Sequence, residues 1–171
     1  KIKRTMTRKK FNVYLGPEYS NIEIEKTLKK YNLKFYKTKN LFSLIAKKLS
    51  KQKLVAWYQG KMEFSHRALG NRSILADPRD KRMKQIINEA IKYREEFRPF
   101  APAVLGEKSH EIFQIDKDKK IEFMEKAVIV KNKWRKKIPA VTHNDGTARV
   151  QTVYKNFNSK FYKLINEFYK I

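Results

Sequence analysis

A chain of 171 residues is long enough for one domain with a real core and too short for two large ones. The absence of cysteine excludes disulfides, zinc ribbons, iron–sulfur clusters and thiol nucleophiles. No apolar run approaches the roughly 18 residues that span a bilayer, and the basic start at residues 1–10 leads into no apolar signal core, so a soluble cytoplasmic protein without a membrane partner is expected.

In chain order, residues 11–15 read as a strand ended by Gly16-Pro17. Ser20 then caps a helix, with Glu23 as its capping-box partner, Tyr19 and Ile24 as a staple, and Ile24, Leu28 and Tyr31 as the apolar stripe. Residues 33–36 form a short strand candidate, and Leu41, Leu44, Ile45 and Leu49 mark a second helix. Residues 54–58 read as a buried strand ending at Gln59-Gly60. Residues 61–76 hold neither period and read as a loop. Asp77-Pro78 is predicted to open a helix with an acidic cap, proline in the first turn and an apolar face at Met83, Ile86, Ile87, Ala90 and Ile91. Two prolines make residues 97–105 an edge strand at most. Strands are expected at 126–131 and 148–153, and Phe161, Leu164, Ile165 and Phe168 mark a last helix. Alternating strands and helices predict an α/β domain, with α+β as the neighbouring class.

The formal net charge of +24 attracts nucleic acid, anionic lipid and phosphorylated ligands alike and does not choose among them. Lysine is spread along the whole chain beside many Asn, Ile, Tyr and Phe, as an AT-rich coding sequence produces. The charge is therefore expected to be mainly diffuse, with a functional basic face as the other reading. Arginine is the sharper signal because its planar fork suits phosphate and carboxylate. Arg67, Arg72, Arg79, Arg82, Arg94 and Arg98 crowd one short stretch.

Phosphate loops of the G-x-x-x-x-G-K-[ST] and G-x-G-x-x-G kinds are absent, so side chains must recognise any phosphate. One candidate is the run 59–73, where Arg67, Asn71, Arg72 and Ser73 with flexible glycine amides can converge on an anion. Its structural alternative pairs Arg67 and Arg72 with Glu63 and Asp77. A second candidate is Lys92, Arg94 and Arg98, leaving a helix for an extended segment. Its alternative is a solvated cluster neutralised by Glu95 and Glu96. His66, His110 and His143 are widely separated and lack metal-ligand spacing, so no metal site is expected on this chain.

The runs QGKMEFSHRALGNRSILADP at 59–78, IKYREEFRPFAPAVL at 91–105 and HNDGTARVQTV at 143–153 resemble the C-terminal domain of the O-carbamoyltransferases. This is the family of nodulation-factor and antibiotic carbamoyltransferases, such as the tobramycin carbamoyltransferase. The similarity extends from Tyr14 onward. Lys61 and Ser65-His66 depart from the family's usual arginine and Gly-Pro.

The resemblance implies a YrdC-like twisted open sheet with flanking helices around a basic nucleotide-binding cavity. It also implies a chain, 1–171, that is one domain lacking an N-terminal Kae1-like domain and truncated before the family's S-x-N partner motif. Lys92-Tyr93-Arg94 matches the K-x-R motif of the threonylcarbamoyl-adenylate synthases. The activity implied is formation of carbamoyl adenylate from ATP and carbamoyl phosphate, for transfer to a hydroxyl acceptor. Mg²⁺ would arrive with ATP, and iron would sit only in the N-terminal domain.

By resemblance Lys92, Arg94 and Arg98 are the catalytic candidates. Arg67, Asn71, Arg72, Ser73, Arg149 and Thr147 are the substrate- and nucleotide-binding ones, while a surface ion pair is the alternative for Arg149. A nucleic-acid (RNA)-binding module of the same fold is the competing reading. In that reading, exposed aromatics would be interleaved with basic groups.

Overall fold

The computed structural model describes residues 11–93, 95 and 98–171, and over these the chain is a mixed α/β fold. Helix α1 (Asn21–Lys30) starts where the capping box predicts: Ser20 Oγ accepts from the Glu23 amide at 3.3 Å, and Glu23 accepts from the Ser20 amide at 2.7 Å. Its predicted stripe is not buried, however. No residue of α1 is buried, and Tyr31, Leu33 and Tyr36 are exposed beyond it. The strand expected at 33–36 does not form, because no neighbouring backbone among the described residues offers it a ladder.

Residues 11–15 are extended without being a regular strand. The Val13 carbonyl accepts from the Phe64 amide at 2.7 Å, and Gly16 and Pro17 exchange backbone bonds with Met62. Val13 and Tyr14 are buried against Leu69, which ties the start of the described chain to the loop 59–71.

Helix α2 (Leu41–Ser50) leads to β1 (Val55–Tyr58), which pairs antiparallel with β2 (Arg72–Leu75), Tyr58 facing Arg72. Strand β2 lies inside the segment expected to be entirely loop. Its four residues lack a clear alternation of burial, so they carry no period to detect.

Asp77 does not cap a helix. Its fully buried carboxylate takes the Arg79 amide and guanidinium, the latter at 2.6 Å, and so helix α3 begins only at Met83 and runs to Ile87. A widened turn over Asn88–Lys92 follows, closed by Tyr93 in the left-handed region at φ 45°.

Strand β3 (Ala103–Leu105) follows Pro99 and Pro102, and helix α4 (Ser109–Ile112) follows it. Next come β4 (Ala127–Ile129) and helix α5 (Asn132–Arg135). The strand expected at 148–153 is divided at Val150 into β5 (Thr147–Arg149), antiparallel to β4, and β6 (Gln151–Val153), parallel to β3. Among the described residues the strands pair as three two-stranded ladders.

Helix α6 (Ser159–Tyr169) is capped by Asn158, whose side chain accepts from the Phe161 amide at 3.2 Å. Phe161 and Leu164 bury its apolar face with Ala46 of α2, Trp57 of β1 and Val153 of β6. A second cluster, with Phe113, Val130 and Val150 at its centre, holds β4 and β5 in place. No helix of the described residues is long and apolar enough to cross a membrane.

Candidate functional site

Between β2, α3, the segment after the Tyr93 turn and the β5–β6 strand lies a cavity of about 300 Å³. Its wall carries Arg67, Lys84, Lys92 and Arg149 among groups that include Ile87, Phe100 and Ala101. Asp77, the carboxylate on that wall, is already engaged by Arg79 at 2.6 Å. Cations that line a partly apolar cavity favour an anion there. A second cavity of about 380 Å³ shares Lys84, Pro99, Ala140 and Val141 with the first and adds His143, Asn144 and Asp145.

The loop that presents Arg67 is shaped by a buried acid. Glu63 Oε1 accepts from the amides of Leu69 and Asn71 at 2.7 Å each and from that of Arg72 at 3.2 Å. The Leu69 carbonyl accepts from the Tyr14 hydroxyl and from Gln151 Nε2, both at 3.0 Å. Gly70, at φ +99°, donates to Ser73 Oγ at 3.0 Å. A Cβ on Gly70 would stand 2.2 Å from the Phe161 ring, so glycine is required there both for its dihedral and for the close approach. Burial pushes the Tyr14 phenol up to about 12, partly opposed by its bond from Asn158.

Of the residues singled out in the sequence, Arg67, Ser73, Lys92 and Arg149 share the first cavity. Asn71 is turned inward: its Oδ1 accepts from Gln59 and Asn158, and its Nδ2 donates to the Lys61 carbonyl. Arg72 lies on the exposed side, 3.6 Å from the Met62 sulfur. Arg98 pairs with Glu95 at 3.0 Å, as the neutralised-cluster alternative expects. Arg94 lies outside the described residues.

Thr147 closes the turn before β5. Its hydroxyl donates to Asp145 at 2.8 Å and stands 3.0 Å from His143 Nδ1. The alternative pairings of Arg67 with Glu63 and of Arg72 with Asp77 are not formed, because backbone amides occupy Glu63 and Arg79 occupies Asp77. Lys84 and Gln151 were not anticipated. Lys84 follows the core residue Met83 on α3 and is hidden among the many lysines. Gln151 sits on the polar-looking start of a strand that is in fact buried throughout.

Residues 46–171 match the model of a family described as Carbamoyltransferase C-terminus. The chain is 40% identical over 181 residues to an uncharacterized protein of Synechocystis sp., covering 91% of this chain and 29% of that protein. It is 41% identical to nodulation protein NolNO of Sinorhizobium fredii, covering 92% of this chain and 24% of the relative. To nodulation protein NolO of Bradyrhizobium diazoefficiens it is 39% identical, covering 93% and 30%. The chain spans less than a third of the length of each of these relatives.

Proposed function

The chain belongs to the carbamoyltransferase C-terminal family, and from that premise we propose that its cation-lined cavities bind carbamoyl phosphate and ATP and form carbamoyl adenylate. In the reaction, water releases carbamate and phosphate from carbamoyl phosphate. A carbamate oxygen then bonds to the α-phosphorus of ATP as the bond to pyrophosphate breaks. Transfer of the carbamoyl group to a hydroxyl acceptor belongs to the longer polypeptide that the relatives represent.

The observation that carries this reading is the gathering of Arg67, Lys84, Lys92 and Arg149 from three separate stretches of chain onto one cavity. Two phosphorylated anions repel each other, and fixed cations offset that repulsion and stabilise charge developing on the leaving pyrophosphate. The adjoining second cavity gives room for two ligands side by side. Among the described residues the carboxylate on the first cavity's wall, Asp77, is held by Arg79, and Mg²⁺ would enter on the phosphates of ATP.

ATP–pyrophosphate exchange dependent on carbamoyl phosphate tests the proposal. Arg149→Met and Lys92→Met are each expected to slow exchange by about 10²-fold, the scale of removing one preorganised charge-stabilising group. Exchange at the wild-type rate in both folded variants would remove the cavity from consideration.

A second reading, polynucleotide binding, is favoured by one specific observation. The core aromatics Phe161 and Phe168 pack inside as expected, but Phe64 is 80% and Tyr93 83% exposed on a strongly basic chain. Steep loss of single-stranded RNA binding with salt would support it.

A further inference from the structure

The carbamoyl ligand of the proposed reaction carries an amide nitrogen, and the cations on the first cavity wall can only donate. They hold phosphate oxygens, so an –NH₂ needs an acceptor other than these cations. In the sequence, the run 143–153 carries part of the family resemblance, with Thr147 and Arg149 as its binding candidates. In the structure it presents a histidine whose tautomer is determined by its neighbours.

Asp145 Oδ1 accepts both the Thr147 amide, at 2.9 Å, and the Thr147 hydroxyl, at 2.8 Å. Threonine has one hydroxyl proton, so toward His143 its oxygen can only accept. The 3.0 Å contact to Nδ1 therefore places the imidazole proton on Nδ1. Backbone bonds from His143 N to the Thr147 carbonyl at 2.8 Å and from Gly146 N to the His143 carbonyl at 2.9 Å hold the turn that carries the ring.

The consequence is a bare lone pair on Nε2. That atom is buried and has no hydrogen-bond partner among the described residues. An unpaired buried acceptor is an exception that calls for an explanation, and a ligand that supplies the donor is one. Burial, and after it the fields of Arg149 and Lys84, hold the ring below the ordinary histidine range, with Asp145 opposing them. Nε2 therefore stays an acceptor at neutral pH. His143 and Lys84 line the second cavity together, and Lys84 also lines the first beside Arg149.

Resting on the carbamoyl reading above, we infer that His143 Nε2 accepts a hydrogen bond from the –NH₂ of the carbamoyl group in the second cavity, whose wall shares Lys84 with the first. Lys84 and Arg149 face the phosphate. Thr147, oriented by Asp145, is the positioning residue that keeps the acceptor side of the ring toward the ligand. His143 thereby sets specificity: acetyl phosphate, with a methyl in place of the amide, leaves Nε2 unpaired and is disfavoured.

Calorimetric titration of the full chain with carbamoyl phosphate, acetyl phosphate and inorganic phosphate tests this. The wild type is expected to prefer carbamoyl over acetyl phosphate by about tenfold or more, the scale of one buried hydrogen bond. His143→Ala should erase that preference and leave inorganic phosphate within about twofold of wild type, while His143→Gln, which retains an acceptor oxygen, should recover part of the preference. Thr147→Val should reduce it.

Failure of the wild type to bind carbamoyl phosphate would overturn the carbamoyl reading itself. Binding with a preference that survives in His143→Ala would overturn only the role of His143, and point to the side-chain oxygen of Gln151 on the same wall. Should His143→Ala fail to fold, Thr147→Val decides: an unchanged preference counts against the inference, a reduced one for it.

Discussion

At the scale of single residues, the site rests on groups that never touch the cavity contents. Glu63 is the clearest case, one carboxylate oxygen holding the loop amides of Leu69, Asn71 and Arg72. Glu63→Ala leaves those amides without their charged acceptor and is expected to destabilise the chain by about 2–4 kcal/mol in denaturant unfolding, at the scale of hydrogen bonds to a charged group. Gly70→Ala is expected to cost at least about 2 kcal/mol, since it adds backbone strain at φ +99° to an overlap with the Phe161 ring. A thermal melt unchanged from wild type would contradict that geometry.

Tyr14 supplies a pH signature. Its folded pKa, pushed up to about 12 by burial, lies above the ordinary value of 10.0. The associated stability is fully present below pH 10 and is lost as pH rises from about 10 to 12, because the unfolded chain releases its proton first. Between those pH values Tyr14→Phe should lose stability less steeply than wild type, by up to about 2–3 kcal/mol in total. Parallel curves for the two proteins would show that the phenol is not buried as described.

At the scale of elements, periodicity decided the helices that pack and misjudged those whose ends depend on side-chain competition. Helix α6 shows the first case: its predicted stripe is the face that meets α2, with Leu164 fully buried. Leu164→Ala should cost about 2–5 kcal/mol, the range for a leucine truncated in a packed core. A loss below about 1 kcal/mol in equilibrium unfolding would mean that α6 is not docked there.

Helix α3 shows the second case. An Asp-Pro pair is a sound start signal, yet the Asp77 carboxylate is drawn to Arg79 two residues on, and Arg82 is drawn to Asp80 in the same way. Helix α1 has a correct cap and an exposed stripe, because its cap is local chemistry whereas burial of a stripe needs another element over it.

At the scale of the whole molecule, a net charge of +24 raises every anion near the surface, but only a shaped site limits how much salt matters. Raising salt from 50 to 200 mM should weaken carbamoyl phosphate binding by less than about tenfold. A polynucleotide touching many phosphates would lose about 10³-fold or more over the same range. A loss of that size for the small ligand would indicate loose attraction to diffuse lysines and not a cavity.

What the sequence by itself determined were local matters and kinship. It revealed the capping box at Ser20, the apolar face of α6, the runs shared with the carbamoyltransferases, and the arginines that could hold an anion. These are encoded in neighbouring residues or in residue identity. Which cations meet was decided by tertiary structure. Arg67, Lys92 and Arg149 come from three distant stretches and share a wall with Lys84, while Arg72 and Asn71, inside the same motif as Arg67, face away from it. The place of Arg72 at the exposed start of β2 and the inward hydrogen-bond network of Gln59 and Asn158 set those directions. The tautomer of His143 was likewise beyond reach of the sequence. It depends on where one threonine proton goes, and that follows from the fold of a five-residue turn against Lys84 and Arg149.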